Sequence, residues 1–521
     1  MRKGFDNERY LAEQASYIRE RMRRFDCRLY LEFGGKLLND FHAARVLPGY
    51  DPNVKIRLLK ELKDEADIIL CIHAGAIEHR KIRADYGITY DADAMKQIDD
   101  LGEWGLSVSA VVITRWENQP AARAFKTKLE NRGIRVYTHA PTKGYPTNVD
   151  LIVSEDGYGA NPRIETTKPL VVVTGPGPGS GKMATCLSQV YHDHALGIQA
   201  MYAKFETFPI WSLPLKHPVN LAYEAATLDL KDVNLIDPFH LEATGETAVN
   251  YNRDVESFPI LRGILEKITG SAGAYRSPTE MGVNRAGFAI VDDDVTREAA
   301  KQEIVRRYLR CSCEFMMGMA DQESLNKADR LMKELSLTVE YRPVLVAARK
   351  TAEEALATSG ETDGGGATDA RGEAAGSRGG PVVRCGAALE LPSGEIVTGK
   401  NSRLLHAATA AVLNAIKRLA GVPDSIQLLS PLVIESIANF KKKTMKGKTA
   451  SLDVDEALIA LAISAALTPM VQNCLDRLTD LHGCQMHLTH FPTPGDEAGL
   501  RRLGVNLTSD PVFASHRLFV E

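Results

Sequence analysis

The residues Leu170-Val-Val-Val-Thr-Gly-Pro-Gly-Pro-Gly-Ser-Gly-Lys182 form an apolar run that breaks into a glycine-rich turn and ends on a lysine, with a helix-like stretch over 183–189 behind it. A turn of this kind cradles phosphate. Successive glycines let backbone N–H groups converge on an anion, a helix N-terminus adds its dipole, and the lysine supplies a point charge. The expected grip is Gly175, Gly177, Gly179, Ser180, Gly181 and Lys182, and the expected ligand is ATP or another nucleotide. Two departures make the loop a variant. Phosphate-loop spacing places a glycine five positions before Gly181, where Pro176 stands; it also places Ser or Thr after the lysine to ligate magnesium, where Met183 stands, with Thr185 the next hydroxyl downstream. A tight strand-to-helix turn that binds nothing would also use glycine and proline here. It needs neither glycines at alternate positions nor the lysine.

A nucleotide enzyme also needs an acid at a strand end to hold the magnesium shell. Leu235-Ile-Asp237 and Ala289-Ile-Val-Asp-Asp-Asp294 both offer one, and Asp237 is the first choice because Asp-Pro-Phe-His240 adds an imidazole three residues on. The aspartates 292–294 equally suit a helix start. Asp237 is therefore the expected metal ligand. Lys204, His217, His240 and Arg253 are expected to hold the substrate or the transferring group, within polar segments that run from Lys204 to Asn284. Each has a structural alternative: Lys216 and His217 in a surface loop, Arg253 with Asp254 as an ion pair. His192 and His194 flank Asp193 and would point apart on a helix, which favours ordinary helix-end roles. Cys311-Ser-Cys313 has no second pair or histidine at ligand spacing and reads as half-buried helix.

The elements that must position these residues alternate. Apolar runs at 28–33, 67–72, 109–114, 134–137 and 149–153 are separated by helical patterns such as 56–64 and 121–132, and 197–203, 233–237 and 287–291 continue the strand series. Unbroken apolar runs between amphipathic helices predict an α/β fold with mostly parallel sheets flanked by helices around a phosphate-loop-like core. The expected organisation is a Rossmann-like α/β domain over 1–168, a phosphate-loop segment with site loops over 169–295, and a helical segment over 296–357 with a strand-like 341–346. A flexible linker or insertion follows at 358–380, poor in residues that could repay ordering entropy. A smaller α+β domain over 381–521 opens with a hairpin around Pro392-Ser-Gly394, followed by a helix at 404–419. That hairpin and helix faintly suggest a deaminase opening, but the His-x-Glu and Pro-Cys-x-x-Cys zinc residues are missing after residue 382.

Composition narrows the setting. The chain has 521 residues, long enough for several cores, and a formal net charge of -4 that gives no surplus to attract nucleic acid. Eight scattered cysteines and a polar N-terminus fit a cytoplasmic protein without an export signal. The longest apolar stretch, 457–467, is too short to span a bilayer and reads as a buried helix.

Six segments together resemble the bacterial domain-of-unknown-function family 1846, also called uncharacterised protein family 0371. They are 172–189, Ala203-Lys-Phe-Glu-Thr-Phe-Pro-Ile-Trp211, 215–224, Ile236-Asp-Pro-Phe-His240, Val249-Asn-Tyr-Asn-Arg-Asp254 and 391–399. The likeness runs along nearly the whole chain apart from 358–380. It implies a cytoplasmic bacterial protein, a phosphate-loop-like α/β core, a homo-oligomer, and Met183 as the family's own form of the loop; it supplies no reaction. From the residues, the leading expectation is an enzyme that uses a nucleotide, with magnesium, to phosphorylate or activate a small anionic metabolite, acting on neither nucleic acid nor membrane. The alternatives are a non-catalytic nucleotide-binding or regulatory homo-oligomer, and a sugar-phosphate enzyme that uses no nucleotide.

Overall fold

Short runs of Val, Ile and Leu can be buried on both faces only where helices cover both sides of a parallel sheet. That is the arrangement in the computed structural model of the chain, which describes residues 2–83, 87–270, 273–359, 384–444, 446 and 451–514. Besides a short antiparallel pair, Ile82–Arg83 with Ile88–Thr89, the first part has the strands β1 (Arg28–Phe33), β2 (Ala66–His73), β3 (Val108–Thr114), β4 (Val136–His139), β5 (Leu170–Thr174), β6 (Ala200–Phe205), β7 (Asn234–Ile236), β8 (Val249–Tyr251) and β9 (Gly282–Val283). Seven of them make one sheet in the order β9-β6-β1-β5-β2-β3-β4, every pair parallel. β7 and β8 pair antiparallel in a small sheet of their own. The seven-stranded sheet thus takes strands from both the expected 1–168 domain and the expected 169–295 segment.

Helices flank the sheet. Cys186, Leu187 and Val190 of the helix Lys182–Ala195 join Leu29, Leu31, Val171, Val172 and Val173 in one fully buried cluster, and Phe258, Ile264 and Leu265 of the helix Asn252–Thr269 belong to it. A second cluster joins Leu70, Ile72, Val111 and Ile113 to Ala122, Phe125 and Leu129 of the helix Pro120–Glu130. Each buried branched side chain contributes about 1.5–3 kcal/mol. The chain divides into two compact units, Met1–Glu303 and Ile304–Glu521.

The second unit carries a four-stranded mixed sheet: β10 (Gly386–Glu390), β11 (Ile396–Lys400), β12 (Gln485–Leu488) and β13 (Asn506–Ser509) in the order β11-β10-β12-β13. β10 and β11 form a hairpin closed by Leu391 N–H to Glu395 O at 2.8 Å, with Gly394 at φ 87. The helix Ala407–Ala420 follows. All but the first two residues of the linker expected at 358–380, and the domain start near Val382, lie outside the described residues.

Three expectations fail locally, and a fourth holds only in part. Residues 149–153, expected as a strand, form a helical turn Val149–Ile152, because Asn148 caps it by accepting from Leu151 N–H at 3.0 Å. The strand expected at 287–291 is a 3-10 turn, Ala286–Ala289. The strand-like 341–346 is the start of the helix Pro343–Ser359, since proline suits a first helical position. The apolar stretch near 457–467 forms the helix Val454–Ala465, buried on one side only, with Ile459 64% and Ile463 50% exposed.

One buried carboxylate ties the layers of the first unit together. Asp193, fully buried, accepts from Arg28 at 2.8 Å, from Tyr30 OH at 2.8 Å and from two guanidinium nitrogens of Arg163 at 3.0 and 3.2 Å. Breaking a buried pair by removing one partner costs about 3–5 kcal/mol. Asp193→Asn is expected to lower stability by about 3 kcal/mol in urea unfolding, and a loss below about 0.5 kcal/mol would refute the pinning role.

Candidate functional site

The glycine loop leaves β5 at Thr174 and delivers the chain into the helix Lys182–Ala195. Packing fixes several of its glycines. A Cβ on Gly175 would sit 2.3 Å from the Cys71 carbonyl, one on Gly177 2.9 Å from the Tyr90 ring, and one on Gly181 2.7 Å from the Thr114 side chain. Gly181 also needs φ 88, and Gly179, with open space around it, needs φ 73. Thr114 Oγ1 donates to Ser180 O at 2.8 Å and holds the loop against the end of β3.

Close packing does not account for the charged end of the loop. No side chain caps the helix that starts at Lys182, and no acid lies in its first turn, so its N-terminal dipole is not neutralised locally. Lys182 Nζ reaches only Gly177 O, at a long 3.5 Å, and no carboxylate pairs with it among the described residues. Ser180 Oγ is buried without a partner among the described residues. Thr185, the nearest downstream hydroxyl, is fully buried and accepts from the Cys71 thiol at 3.4 Å.

Beside the loop lies a cluster of acids. Glu32 of β1 stands in register with Val173 of β5 on one side and with Lys204 of β6 on the other. Tyr202 OH donates to Glu32 Oε2 at 2.7 Å. Lys204 Nζ meets Asp254 at 2.6 Å, Glu206 at 2.9 Å and the Tyr251 hydroxyl, while Tyr251 OH donates to Glu206 at 2.9 Å. Gly34 has no room for a side chain because Glu206 Cγ would lie 2.8 Å from its Cβ.

Two carboxylates therefore contact one ammonium, and Glu32 acts on it through space. Burial pushes the Glu206 carboxyl up, Lys204 pulls it down and Asp254 pushes it up again, leaving it at about 7. Burial opposes the Lys204 charge, but Asp254, Glu206 and Glu32 outweigh it and hold the ammonium above its ordinary range. Burial, then Asp254 and Glu206, raise the Tyr251 phenol well above its usual value. Lys204, expected as a clamp on an anion, is thus already held by acids. Glu32, Glu206 and Asp254 were not among the expected site residues. The signal for Glu32 was an acid inside an otherwise apolar strand, Leu29-Tyr-Leu-Glu-Phe33.

The other expected residues are engaged in structure. Asp237 is fully buried; its Oδ1 accepts from Phe239 and His240 N–H, each at 3.0 Å, and its Oδ2 from Thr279 N–H at 3.1 Å and Thr279 Oγ1 at 2.6 Å. It caps the helix Pro238–Thr244 and follows β7, which lies outside the seven-stranded sheet. Its lone pairs are occupied, so the metal role expected of it has no free oxygen here. Among the described residues no three His, Cys, Asp or Glu side chains stand together as a metal site.

His217 caps the helix Pro218–Ala226 through Nδ1 and meets Asp293 at 2.9 Å through Nε2. Burial lowers its pKa against the pull of Asp293. Arg253 makes a bidentate pair with the fully buried Asp232, at 2.5 and 2.9 Å, rather than with Asp254. His192 bonds Asn161 O and His194 bonds Ala200 O, as helix-end histidines. Cys313 is buried in its helix, bonded to Ser509 O at 3.3 Å. Of the expected catalytic residues, His240 lines an open cavity, with Nδ1 3.3 Å from Ser277 Oγ.

Comparison with known proteins follows this architecture. The model described as "Domain of unknown function DUF1846, N-terminal" matches residues 3–336, and its C-terminal counterpart matches 340–519. The chain belongs to this family. A UPF0371 protein of Clostridium botulinum (strain Alaska E43 / Type E3) is 53% identical over 520 residues, covering 100% of this chain and 99% of the relative. UPF0371 proteins of the strains ATCC 19397 / Type A and Langeland / NCTC 10281 / Type F are each 52% identical over 519 residues, with the same coverage. These family names carry no reaction, so function has to be argued from the loop and the acid cluster.

Two measurements separate structural from functional acids. Asp237→Ala should cost about 1–2 kcal/mol, the loss of a helix cap, and leave any affinity for phosphate unchanged; a phosphate affinity weakened by the substitution would return Asp237 to the site. Glu206 behaves differently. The fold holds its proton up to about pH 7, well above the ordinary carboxylate value of 4.5, so the stabilisation it gives when protonated is lost as pH rises through that window. Glu206→Gln should therefore gain on the wild type by roughly 1–3 kcal/mol between pH 5 and pH 8, and a pH-independent difference would contradict the raised pKa.

Proposed function

We propose that the protein binds phosphate through the loop 175–182 and is an enzyme that transfers a phosphoryl group to, or otherwise activates, a small anionic metabolite. The observation that carries this is Lys182: a cation without a carboxylate partner among the described residues, at an uncapped helix N-terminus, on the carboxyl edge of a parallel sheet. Ligands of open α/β sheets bind at that edge, where strand order reverses. β5 is such a point, inserted between β1 and β2.

In this reading the backbone N–H groups of the loop and Lys182 neutralise the phosphates, and Glu206, two strands away and thus about 10 Å off, takes the proton of the attacking acceptor. The acceptor oxygen forms the new P–O bond, the bond to the leaving nucleoside diphosphate breaks with its electrons on that oxygen, and the proton passes to the Glu206 carboxylate. A base near neutrality suits this role, and the carboxyl stands at about 7. Magnesium commonly binds through one or two carboxylates and the phosphates themselves, so the reading brings it in with the nucleotide. Asp237 and Thr185 hold other bonds, and no step depends on them.

The same engagement of Asp237 and Thr185 favours a second reading, a sugar-phosphate enzyme that uses no nucleotide and grips one phosphate. In either case we place the protein in the cytoplasm, as a homo-oligomer with neither nucleic acid nor membrane as partner. All eight cysteines are free, which suits a reducing compartment, and among the described residues no helix is long and apolar enough to cross a membrane.

ATP or GTP with millimolar magnesium at ten times its Kd should add about 1.4 kcal/mol of stability, a rise of a few degrees in Tm, and Lys182→Ala should abolish the rise. A rise with phosphate esters but with neither nucleotide selects the second reading. No rise with any of them sinks both.

A further inference from the structure

At the carboxyl end of the edge strand β9 the first unit opens into a cavity of about 190 Å³. One water needs on the order of 10–15 Å³ of such space, so there is room for a small metabolite. Arg24, Arg276 and Arg285 reach its wall, with His240 and the indole of Trp211. Arg24 and Arg276 share one carboxylate, Glu280, at 3.1 and 3.3 Å. Three guanidiniums thus face a single acid.

Arg285 stands apart from the other two. Its guanidinium lies 3.9 Å from the centre of the Tyr17 ring and 4.7 Å from that of Phe288. Its Nε is buried without a partner, and no acceptor pairs with the rest of the group among the described residues. Stacked rings hold a guanidinium by its faces and leave its in-plane donors unused. A buried donor without an acceptor is a cost that a bound oxyanion removes, and an in-plane pair of N–H groups matches a carboxylate or phosphate bidentately.

We propose that this cavity is a second anion site, which binds the carboxylate or phosphate group of a small metabolite on Arg285, with Arg276 and His240 beside it. Its place in the sheet gives the site a role. β9 lies three strands from β5, about 14 Å, and the cluster of Glu32, Lys204, Glu206 and Asp254 stands on the strands between and their flank. An acceptor anchored here by its anionic end would present its other end to Glu206; this last assignment, unlike the anion site itself, rests on the phosphoryl-transfer reading.

The test uses the full chain carrying Lys182→Ala, so that the loop is silent. Calorimetric titrations with inorganic phosphate and with succinate, at constant ionic strength, should each show one site with a Kd on the order of 1 mM for whichever group the cavity prefers. Adding Arg285→Gln should weaken that binding about tenfold or more, with the fold checked by its Tm. Arg276→Gln, at a half-exposed position, should weaken it about threefold and serves if Arg285→Gln fails to fold. Binding of neither probe to the Lys182→Ala protein, or affinity unchanged by the arginine substitutions, overturns the proposal. Phosphate or succinate binding retained in a protein that shows no nucleotide or phosphate-ester effect at Lys182 leaves the cavity standing and removes only the loop reading.

Discussion

The pairing of β5 with β1 on one side and β2 on the other is the constraint on which the candidate site depends. β5 enters the sheet after β1 to β4 have been laid down along the chain, and it fills the gap between the first two. Its carboxyl end therefore emerges where strand order reverses, between Phe33-Gly34 and Cys71-Ile72-His73. The loop must then turn sharply over the ends of β2 and β3. Gly175 is compressed against Cys71 O and Gly181 against Thr114 because of that insertion. A strand placed at the edge of the sheet would impose no such closeness, and Lys182 would not stand beside the strand that carries Glu32.

Charge within the first unit separates into groups that the fold has engaged and groups that it has left available. Asp193, Asp232 and Asp237 are fully buried, and each accepts several hydrogen bonds from guanidinium, hydroxyl or backbone donors. A carboxylate so satisfied holds elements together and has little left to offer a ligand. Among the described residues Lys182 and Arg285 are cations without a carboxylate partner, one at a helix start and one between aromatic rings. Glu206 is held by Lys204 and Tyr251 yet keeps 23% of its side chain exposed. The contrast follows solvation: a group with every lone pair used is cheap to bury, while an unused donor or a proton held near neutrality is retained at a cost to stability.

Much of the sheet was legible because its strands are unbroken apolar runs between amphipathic helices. The expected 28–33, 67–72 and 109–114 coincide with β1, β2 and β3 to within a residue at either end. The short segments were ambiguous for a physical reason. Val149-Asp-Leu-Ile-Val153 suits a strand by composition, and a single side-chain cap from Asn148 turns it into a helix. Asp237 misled in the same way, since Asp-Pro after a strand describes an acid presented to a ligand and a capped helix with proline at its first position equally well. The acid cluster was out of reach because its members are far apart in sequence: Glu32, Lys204 and Asp254 meet only through the β1–β6 pairing and the helix after β8. The cavity joins Arg24 of the first helix to Arg276 and Arg285, and spacing along the chain says nothing about such a meeting.

The cluster and the loop are linked by electrostatics whatever ligand the loop takes. Burial and the nearby Asp254 outweigh the pull of Lys204 on Glu206, whose proton is held to about pH 7. A unit negative charge placed on the loop, about 10 Å from that carboxyl, raises its energy by about 1.7 kcal/mol at an effective dielectric of 20, roughly one further pKa unit. Anion binding at Lys182 would thus draw a proton onto Glu206, and a protonated Glu206 would in turn favour the anion by the same free energy. On the proposed reading, occupancy of the loop by an anion and the protonation state of Glu206, two strands away, would therefore be tied to one another.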